Sequence, residues 1–296
     1  MITKGFQGVD MKIITDRAAN LSLEEERSLG LTVAPLYIQF PGEEVDSSTI
    51  EPDDLYERME AIKPIIPTTA QPSAGSFSEL YEKILQTGEE ILSIHLSEGL
   101  SGTIQSARLG AQQLLQGKVT IFDSMTLSGG QRFQVLAAVL ASRAGWALDK
   151  ILDLLVEIRE QAEVVYSLDT LEYLEHGGRI GRVQSLVSSL LHIKPVIHVD
   201  KADGKYSTVG KARTLSKTLQ VITDHLQALY PDDPLWVTVL HGRLPEEAEQ
   251  LLAQIKERLQ VEKAEIMRVT PILGVHTGPG IVGAAALPIR LVADLF

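Results

Sequence analysis

Residues 91–123, ILSIHLSEGLSGTIQSARLGAQQLLQGKVTIFD, contain the pattern that decides the fold. Apolar runs at 91–96 and 119–123 predict two buried strands. The segment between them has the apolar spacing of a helix over 103–116 that is ended by Gly117. Short apolar strands joined through a helix are typical of a parallel sheet that helices cover. The stretch therefore predicts an α/β fold.

The preceding residues extend the same alternation. A short apolar run at 12–15 predicts a strand, and Ser22 followed by Glu25 is a reciprocal capping pair that begins a helix. The β-branched and aromatic residues of 31–40 predict a second strand, and Pro52 begins another helix. Residues 63–73 contain three prolines in eleven positions and predict an extended loop. This half resembles a unit with helices on both faces of its sheet.

The alternation ends at two consecutive helices predicted over 127–143 and 148–161, because no strand separates them. Since 296 residues exceed the usual size of one core, we expect two domains with a boundary near Ala162. The first, residues 1–162, is predicted to be an α/β/α domain with a parallel sheet. The second, residues 163–296, is predicted to be an α/β domain with a mixed sheet.

Strands in the second half are predicted at 164–168, 194–199, 206–211, 236–241 and 266–269, with helices near 215–229 and 245–259. Asp203-Gly204 lies between two of these strands and is a favourable hairpin turn. At least part of this sheet is therefore expected to be antiparallel, which makes it mixed.

Composition narrows the functional classes. Acidic side chains outnumber basic ones by 39 to 27, and the resulting charge of -12 disfavours nucleic acid and anionic membrane surfaces as partners. No apolar stretch approaches the roughly 20 residues of a membrane span. The N-terminus lacks a secretory signal and the chain has no cysteine, so we expect a cytoplasmic protein without integral membrane association.

Two loops that follow predicted strands are candidate anion sites. The proline-bounded loop places Thr69 at the expected carboxyl edge of the sheet, where ligands bind in open α/β folds. Ser101 precedes a predicted helix, so its hydroxyl and the amides of Gly102 and Thr103 can converge on an anion. The competing interpretation is structural: these hydroxyls satisfy turn backbone or cap the next helix.

Two further glycine-rich segments contain basic side chains. Residues 176–182, HGGRIGR, place Arg179 in a turn suited to an oxyanion, or equally at a solvated helix end. Residues 274–283 contain a formal GxGxxG, but too little chain follows for a dinucleotide-binding unit. The interpretation is a ligand-contacting turn carrying His276 that enters a terminal strand; a structural histidine is the alternative.

No metal or cofactor is expected from the sequence. The seven histidines include no HExxH, and a chain without cysteine has no thiolate ligands for zinc. Asp16 and Asp123 end predicted strands and have the chemistry of magnesium ligands, although capping of the adjacent loops is the favoured role.

Five motifs resemble the DegV family of bacterial fatty-acid-binding proteins and occur in family order. They are the ITD at 14–16, TTAQPS at 68–73, LSGT at 100–103, GGRIG at 177–181 and HTGPG at 276–280. The resemblance extends from about residue 12 to residue 288. It implies the two-domain α/β architecture described above and a long-chain fatty acid in a buried tunnel near the domain interface.

The resemblance also implies that the protein acts together with a separate partner protein. Family members that serve as the binding subunit of a bacterial fatty acid kinase present the carboxylate to a separate ATP-dependent catalytic subunit, which forms the acyl phosphate. Carried over by motif, Thr69 and Ser101 hydrogen-bond the carboxylate, while Arg179 and His276 face the headgroup or the docked kinase. Ala70 departs from the family, which commonly has serine there, so one headgroup hydroxyl is expected to be missing.

The sequence leaves two other functions open. One is a serine-dependent small-molecule hydrolase or phosphotransferase that uses Ser101 and His276. The other is a ligand-sensing module in which Arg179 and Arg182 serve protein docking alone.

Overall fold

The structure is a computed structural model that describes residues 11–115, 118–185 and 193–295. Its strands are β1 Met11–Asp16, β2 Thr32–Ala34, β3 Tyr37–Phe40, β4 Glu43–Asp46, β5 Thr68–Ala70, β6 Glu90–His95, β7 Val119–Asp123, β8 Glu163–Ser167, β9 Lys194–Asp200, β10 Lys205–Ala212, β11 Leu235–His241, β12 Val261–Arg268 and β13 Val282–Pro288. Its helices are α1 Leu23–Leu29, α2 Pro52–Ala61, α3 Ala74–Leu85, α4 Thr103–Gln112, α5 Ser128–Arg143, α6 Leu148–Gln161, α7 Glu172–His176, α8 Leu215–Leu229, α9 Pro245–Arg258 and α10 Pro271–Thr277. The predicted end of α4 at 116–117 lies outside the described residues.

The predicted parallel sheet is confirmed in the N-terminal half. Its four strands have the order β2-β1-β6-β7, and each neighbouring pair is parallel. Successive side chains of β1 point to opposite faces: Ile14 packs against Phe77 of α3 and Ala107 of α4, while Ile13 joins the central core. Helices therefore cover both faces of this sheet.

The predicted mixed sheet is confirmed in the C-terminal half. Its six strands have the order β10-β9-β8-β13-β11-β12, in which only β11 and β12 pair in parallel. Gly204 at φ +65° sits in the predicted hairpin turn between β9 and β10. We propose the predicted domain boundary, which falls between α6 and β8.

Helix α5 connects the two sheets. It contacts β1 and β6 of the parallel sheet and also β8 and β13 of the mixed sheet. Thirteen of its 16 residues are buried, so the helix lies inside the molecule. The largest core cluster accordingly contains residues from both halves. None of the helices in the described part of the chain is long and apolar enough to cross a bilayer.

Two strand predictions were wrong in detail. The strand predicted over 31–40 is two strands, because Pro35 has no amide hydrogen and interrupts the pairing between β2 and β3. The loop predicted over 63–73 contains β5, which pairs with β3 at the edge of a three-stranded antiparallel sheet of order β4-β3-β5. Prolines on either side of β5 are tolerated there, since an edge strand needs partners on one side only.

Candidate ligand pocket

A pocket lies at the carboxyl edge of the parallel sheet, where β1 and β6 end. The lining residues are Ala18, Leu36, Thr69, Ala70, Gln71, Leu96, Leu100, Ser101, Leu127, Arg179, Tyr206, Ile272, Leu273, His276 and Thr277. They come from both halves of the chain, and most of them are apolar.

Four of the predicted site residues meet at this pocket. Thr69, Ser101, Arg179 and His276 all line it, and we call these four residues the polar rim. None of the described lining residues is an aspartate or glutamate, so the polar rim combines a guanidinium charge with neutral donors. Such a set favours an anionic group on the bound molecule.

Ser101 Oγ accepts the backbone N–H of Thr103 at 3.2 Å and lies 2.8 Å from Thr103 Oγ1. The hydroxyl therefore supports the start of α4, as the structural interpretation proposed. A hydroxyl has one hydrogen and two lone pairs. When Thr103 donates to Ser101, the hydrogen of Ser101 is free to point into the pocket.

Gly102 and Thr103 do not line the pocket. Gly102 is the residue that caps α4, and a Cβ there would lie 2.9 Å from Gln71 Nε2, so glycine lets Gln71 pack closely over the helix start. Thr103 is buried. Gly99, two residues before Ser101, is required by packing: a Cβ would lie 2.5 Å from Asp203 O of the β9–β10 turn.

His276 lies in the last turn of helix α10, so its predicted placement in a loop was wrong. Gly278 follows at φ +69°, which ends the helix before β13. His276 Nε2 lies 2.8 Å from Thr69 Oγ1, while its buried Nδ1 has no partner among the described residues. Burial lowers the pKa of His276 to about 4, and the positive charge of Arg179 acts in the same direction. The imidazole is neutral at pH 7.

This depressed pKa predicts a pH-dependent stability difference between the natural chain and His276→Asn. Between about pH 6.5 and pH 4, His276 binds a proton in the unfolded chain but stays neutral in the folded chain. As the pH is lowered through this window, the free energy of unfolding of the natural chain should therefore decrease relative to that of the variant, by up to about 1.4 kcal/mol per pH unit. Urea unfolding at pH 7.5, 6 and 5 measures it; a constant difference between the two proteins would contradict the assignment.

Arg179 follows the turn after α7 and is partly exposed. Its Nε donates to Leu100 O at 3.2 Å, and Nη1 donates to Gly177 O. These bonds hold the guanidinium against the loop that carries Ser101. Arg182 instead pairs with Asp203 at 2.5 Å and does not line the pocket. The two arginines of the predicted segment thus have different surroundings.

Several lining residues were not predicted. Gln71, Tyr206 and Thr277 are the further polar residues of the lining, and Tyr206 reaches the pocket from β10 of the mixed sheet. Burial raises the pKa of Tyr206 to about 12, so its hydroxyl stays protonated at neutral pH. Gln71 and Thr277 carried a sequence signal, since they lie inside the TTAQPS and HTGPG motifs. Ala70 lines the pocket with a methyl group.

The two aspartates that end strands have structural partners. Asp16 is fully buried, and its carboxylate accepts hydrogen bonds from the backbone of Ala18 and Leu96 and from the side chains of His95 and Gln131. Asp123 accepts the amide of Met125 at 2.8 Å. Both carboxylates thus orient the loops at this edge of the sheet.

The fold and the pocket define a class: an α/β protein with one parallel and one mixed main sheet and an apolar pocket whose polar rim suits an anion. The family model of the DegV family, described as uncharacterised proteins, matches residues 10–288. The chain therefore belongs to the DegV family, as the five motifs predicted.

Relatives support this membership along most of the chain. A DegV domain-containing protein of Deinococcus radiodurans is 35% identical over 257 residues, which cover 86% of this chain and 88% of the relative. A DegV family protein from Thermus thermophilus, described by its fatty acid binding, has a solved structure with 30% identity and a TM-score of 0.88; the match covers 94% of this chain and 99% of that one. DegV from Bacillus subtilis, described as a fatty acid binding protein, matches at 26% identity and a TM-score of 0.85, covering 94% and 99%.

Proposed function

We propose that this protein binds a long-chain fatty acid, with the carboxylate at the polar rim and the acyl chain in a buried tunnel that continues from the pocket. The observation that carries the proposal is the convergence of Thr69, Ser101, Arg179 and His276 on one apolar pocket whose described lining contains no acid. The fatty acid binding described for the Thermus thermophilus and Bacillus subtilis relatives supports the same ligand class.

The apolar lining supplies the affinity for the tail. Leu36, Leu96 and Leu127 are buried members of the central core, so an acyl chain that enters between them leaves water completely. Each methylene removed from water contributes about 0.8 kcal/mol, which over a long chain offsets the cost of dehydrating the carboxylate. No organic cofactor is required for this binding.

Neutral donors and one cation position the headgroup. When His276 carries its proton on Nε2, it donates to Thr69 Oγ1, and the hydroxyl hydrogen of Thr69 is left for the carboxylate. Ser101 offers its hydrogen when Thr103 donates to it. Arg179 adds a positive charge beside these hydroxyls. Hydrogen bonds to a charged group contribute about 1.5–3 kcal/mol each, so these donors orient the ligand.

We propose further that the bound carboxylate is presented to a separate fatty acid kinase catalytic subunit, which phosphorylates it with ATP in the cytoplasm. All four residues of the polar rim are partly exposed, which leaves the headgroup within reach of a docked partner. In this scheme Arg179 faces the headgroup or the kinase, and the chain itself performs no catalytic step. Phosphoryl transfer should then require both proteins, and acyl phosphate formed by this chain alone would contradict the division of roles.

The ligand is testable by mass. Native mass spectrometry and solvent extraction of the purified full chain should recover one fatty acid per chain, exchangeable for added oleate. Protein that is repeatedly empty and that binds no oleate in a calorimetric titration would overturn the proposal. The mass of the extracted acid also defines its chain length and unsaturation.

Hydrolysis or phosphotransfer by Ser101 and His276 has weaker support in the geometry. The partner of His276 Nε2 is Thr69, and Ser101 is engaged by Thr103. A nucleophile needs a general base that a third group orients, whereas Nδ1 of His276 has no partner among the described residues. A pKa of about 4 also makes this imidazole a weak base. We expect no turnover of p-nitrophenyl acyl esters by the isolated chain; turnover that Ser101→Ala abolishes would restore the enzyme hypothesis.

A further inference from the structure

A second cluster of polar side chains lies in the C-terminal half, away from the pocket. Glu163 begins β8, His198 lies on the neighbouring strand β9, and His225 lies on α8, which packs on both strands. Strand register pairs Val165 with His198, which places the imidazole near the start of β8. None of the three residues lines the ligand pocket.

The three side chains already point at one position. Glu163 Oε1 lies 2.7 Å from His198 Nδ1 and 3.0 Å from His225 Nε2. One donor atom from each residue lies within 4.8 Å of the other two. The Glu163 side chain is 3% exposed, and the His198 and His225 side chains are 23% and 20% exposed. A nearly buried carboxylate thus meets two imidazoles that solvent still reaches.

The carboxylate is ionised and ready to act as a ligand. Burial acts to raise the pKa of Glu163, but hydrogen bonds from His198 and His225 and the positive charge of Lys201 outweigh it and lower the pKa to about 2. Lys201 Nζ lies 3.6 Å from Oε2, the other carboxylate oxygen. Oε1 is therefore the oxygen directed at the imidazoles, and Lys201 occupies the far side.

We propose that Glu163, His198 and His225 form a binding site for Zn²⁺ or a similar transition metal ion, with water as the remaining ligand. Two imidazoles and one carboxylate form a common zinc ligand set, and imidazole ligands favour transition metals over Mg²⁺ or Ca²⁺. In a tetrahedral site with metal–ligand distances of about 2.0–2.2 Å, the ligand atoms lie about 3.4 Å apart. Small rotations of the two histidines reach this separation from the present hydrogen-bonded contacts.

Proton movements accompany binding. In the metal-free form His198 Nδ1 and His225 Nε2 donate hydrogens to Glu163, and these nitrogens must expose lone pairs to hold the ion. Each neutral imidazole then carries its hydrogen on the other ring nitrogen, exchanged through water at the partly exposed ring. The ion replaces two hydrogen bonds with three coordinate bonds.

The alternative is purely structural: the two histidines donate to Glu163 and fasten α8 to the sheet. Glutamine separates the two roles, because its amide can donate a hydrogen bond to the carboxylate but is a poor zinc ligand. Lys201→Gln is a second discriminator. Removing a positive charge near the site should strengthen binding of a cation, whereas a structural network gains nothing from that loss.

The experiment titrates the chelator-treated full chain with ZnCl₂ by calorimetry, and with CoCl₂ while the visible absorption of tetrahedral Co²⁺ is recorded. We expect one ion per chain, an unfolding temperature that rises with zinc, and tighter binding by Lys201→Gln. His198→Gln and His225→Gln should each weaken zinc binding by more than about 100-fold, since even outer-shell partners of a metal account for 10- to 100-fold.

His176→Gln is the matched control, because His176 is exposed on α7 and outside the cluster. Its zinc affinity should equal that of the natural chain. Circular dichroism establishes whether each variant is folded. If either His198→Gln or His225→Gln fails to fold, the zinc affinity of the other variant tests the proposal. Absence of zinc binding, or equal zinc affinity in the control and in both cluster variants, would overturn the proposal.

Discussion

Replacing Asp16 by alanine is expected to destabilise the protein by about 3–5 kcal/mol. The carboxylate is fully buried at the end of β1 and accepts four N–H groups. Ala18 N and Gln131 Nε2 donate to Oδ1 at 2.9 and 3.3 Å, and Leu96 N and His95 Nδ1 donate to Oδ2 at 3.0 and 2.9 Å. Alanine leaves the amides of Ala18 and Leu96 and Nδ1 of His95 without this acceptor, whereas Gln131 Nε2 keeps Thr15 Oγ1 at 3.0 Å. Each unsatisfied buried donor costs about 1–3 kcal/mol.

Urea unfolding measures this effect as a lower midpoint at an unchanged slope. Asp153→Ala is the matched control: Asp153 is exposed on α6, and its loss should change the free energy of unfolding by no more than about 0.5 kcal/mol. Equal midpoints for Asp16→Ala and Asp153→Ala would show that the Asp16 carboxylate does not stabilise the loops that follow β1 and β6.

Replacing Thr69 by valine is expected to weaken fatty acid binding by about 10- to 100-fold. Valine keeps the shape of threonine but removes the hydroxyl that we assign to the carboxylate, and a hydrogen bond to a charged group contributes about 1.5–3 kcal/mol. The substitution also leaves His276 Nε2 without its partner at 2.8 Å. Both changes act at the headgroup, so the loss should be similar for acids of different chain length.

Thr68→Val is the matched control, one residue away on the same strand. Thr68 Oγ1 donates to Gln39 Oε1 at 3.1 Å, and Thr68 does not line the pocket. Its affinity for oleate, measured by calorimetry on delipidated protein, should stay within about twofold of the natural value. Equal affinities for Thr68→Val and Thr69→Val would place the carboxylate elsewhere.

Periodicity predicted the elements that bury one regular face. Helix α8 has the predicted bounds, and β7 and β9 to β11 begin or end within one residue of prediction. The failures share a cause. Residues 68–70 form a strand because they pair with β3, which lies about 30 positions earlier in the chain. The prolines that flank them predicted only a loop. His276 was assigned to a loop because glycines surround it, yet Pro271 begins a short helix that includes it.

The site was predicted in part. The motifs selected the four residues of the polar rim, and hydroxyl or basic side chains beside glycine provided the signal. They did not separate Ser101, which lines the pocket, from Thr103, which is buried beneath it. Leu96 and Leu127 could not be distinguished from other core leucines, because a side chain that faces a pocket and one that fills a core have the same sequence pattern.

The sequence by itself determined the fold class, the two sheets and the family, since alternating strands and helices and five ordered motifs are local properties of the chain. Only the tertiary structure decided which distant side chains meet. Thr69 reaches His276, and Glu163 reaches His198 and His225, through strand pairing and helix packing. Local sequence patterns record which residues avoid water, whereas a binding site depends on directions and distances that exist only after the sheets and helices have packed.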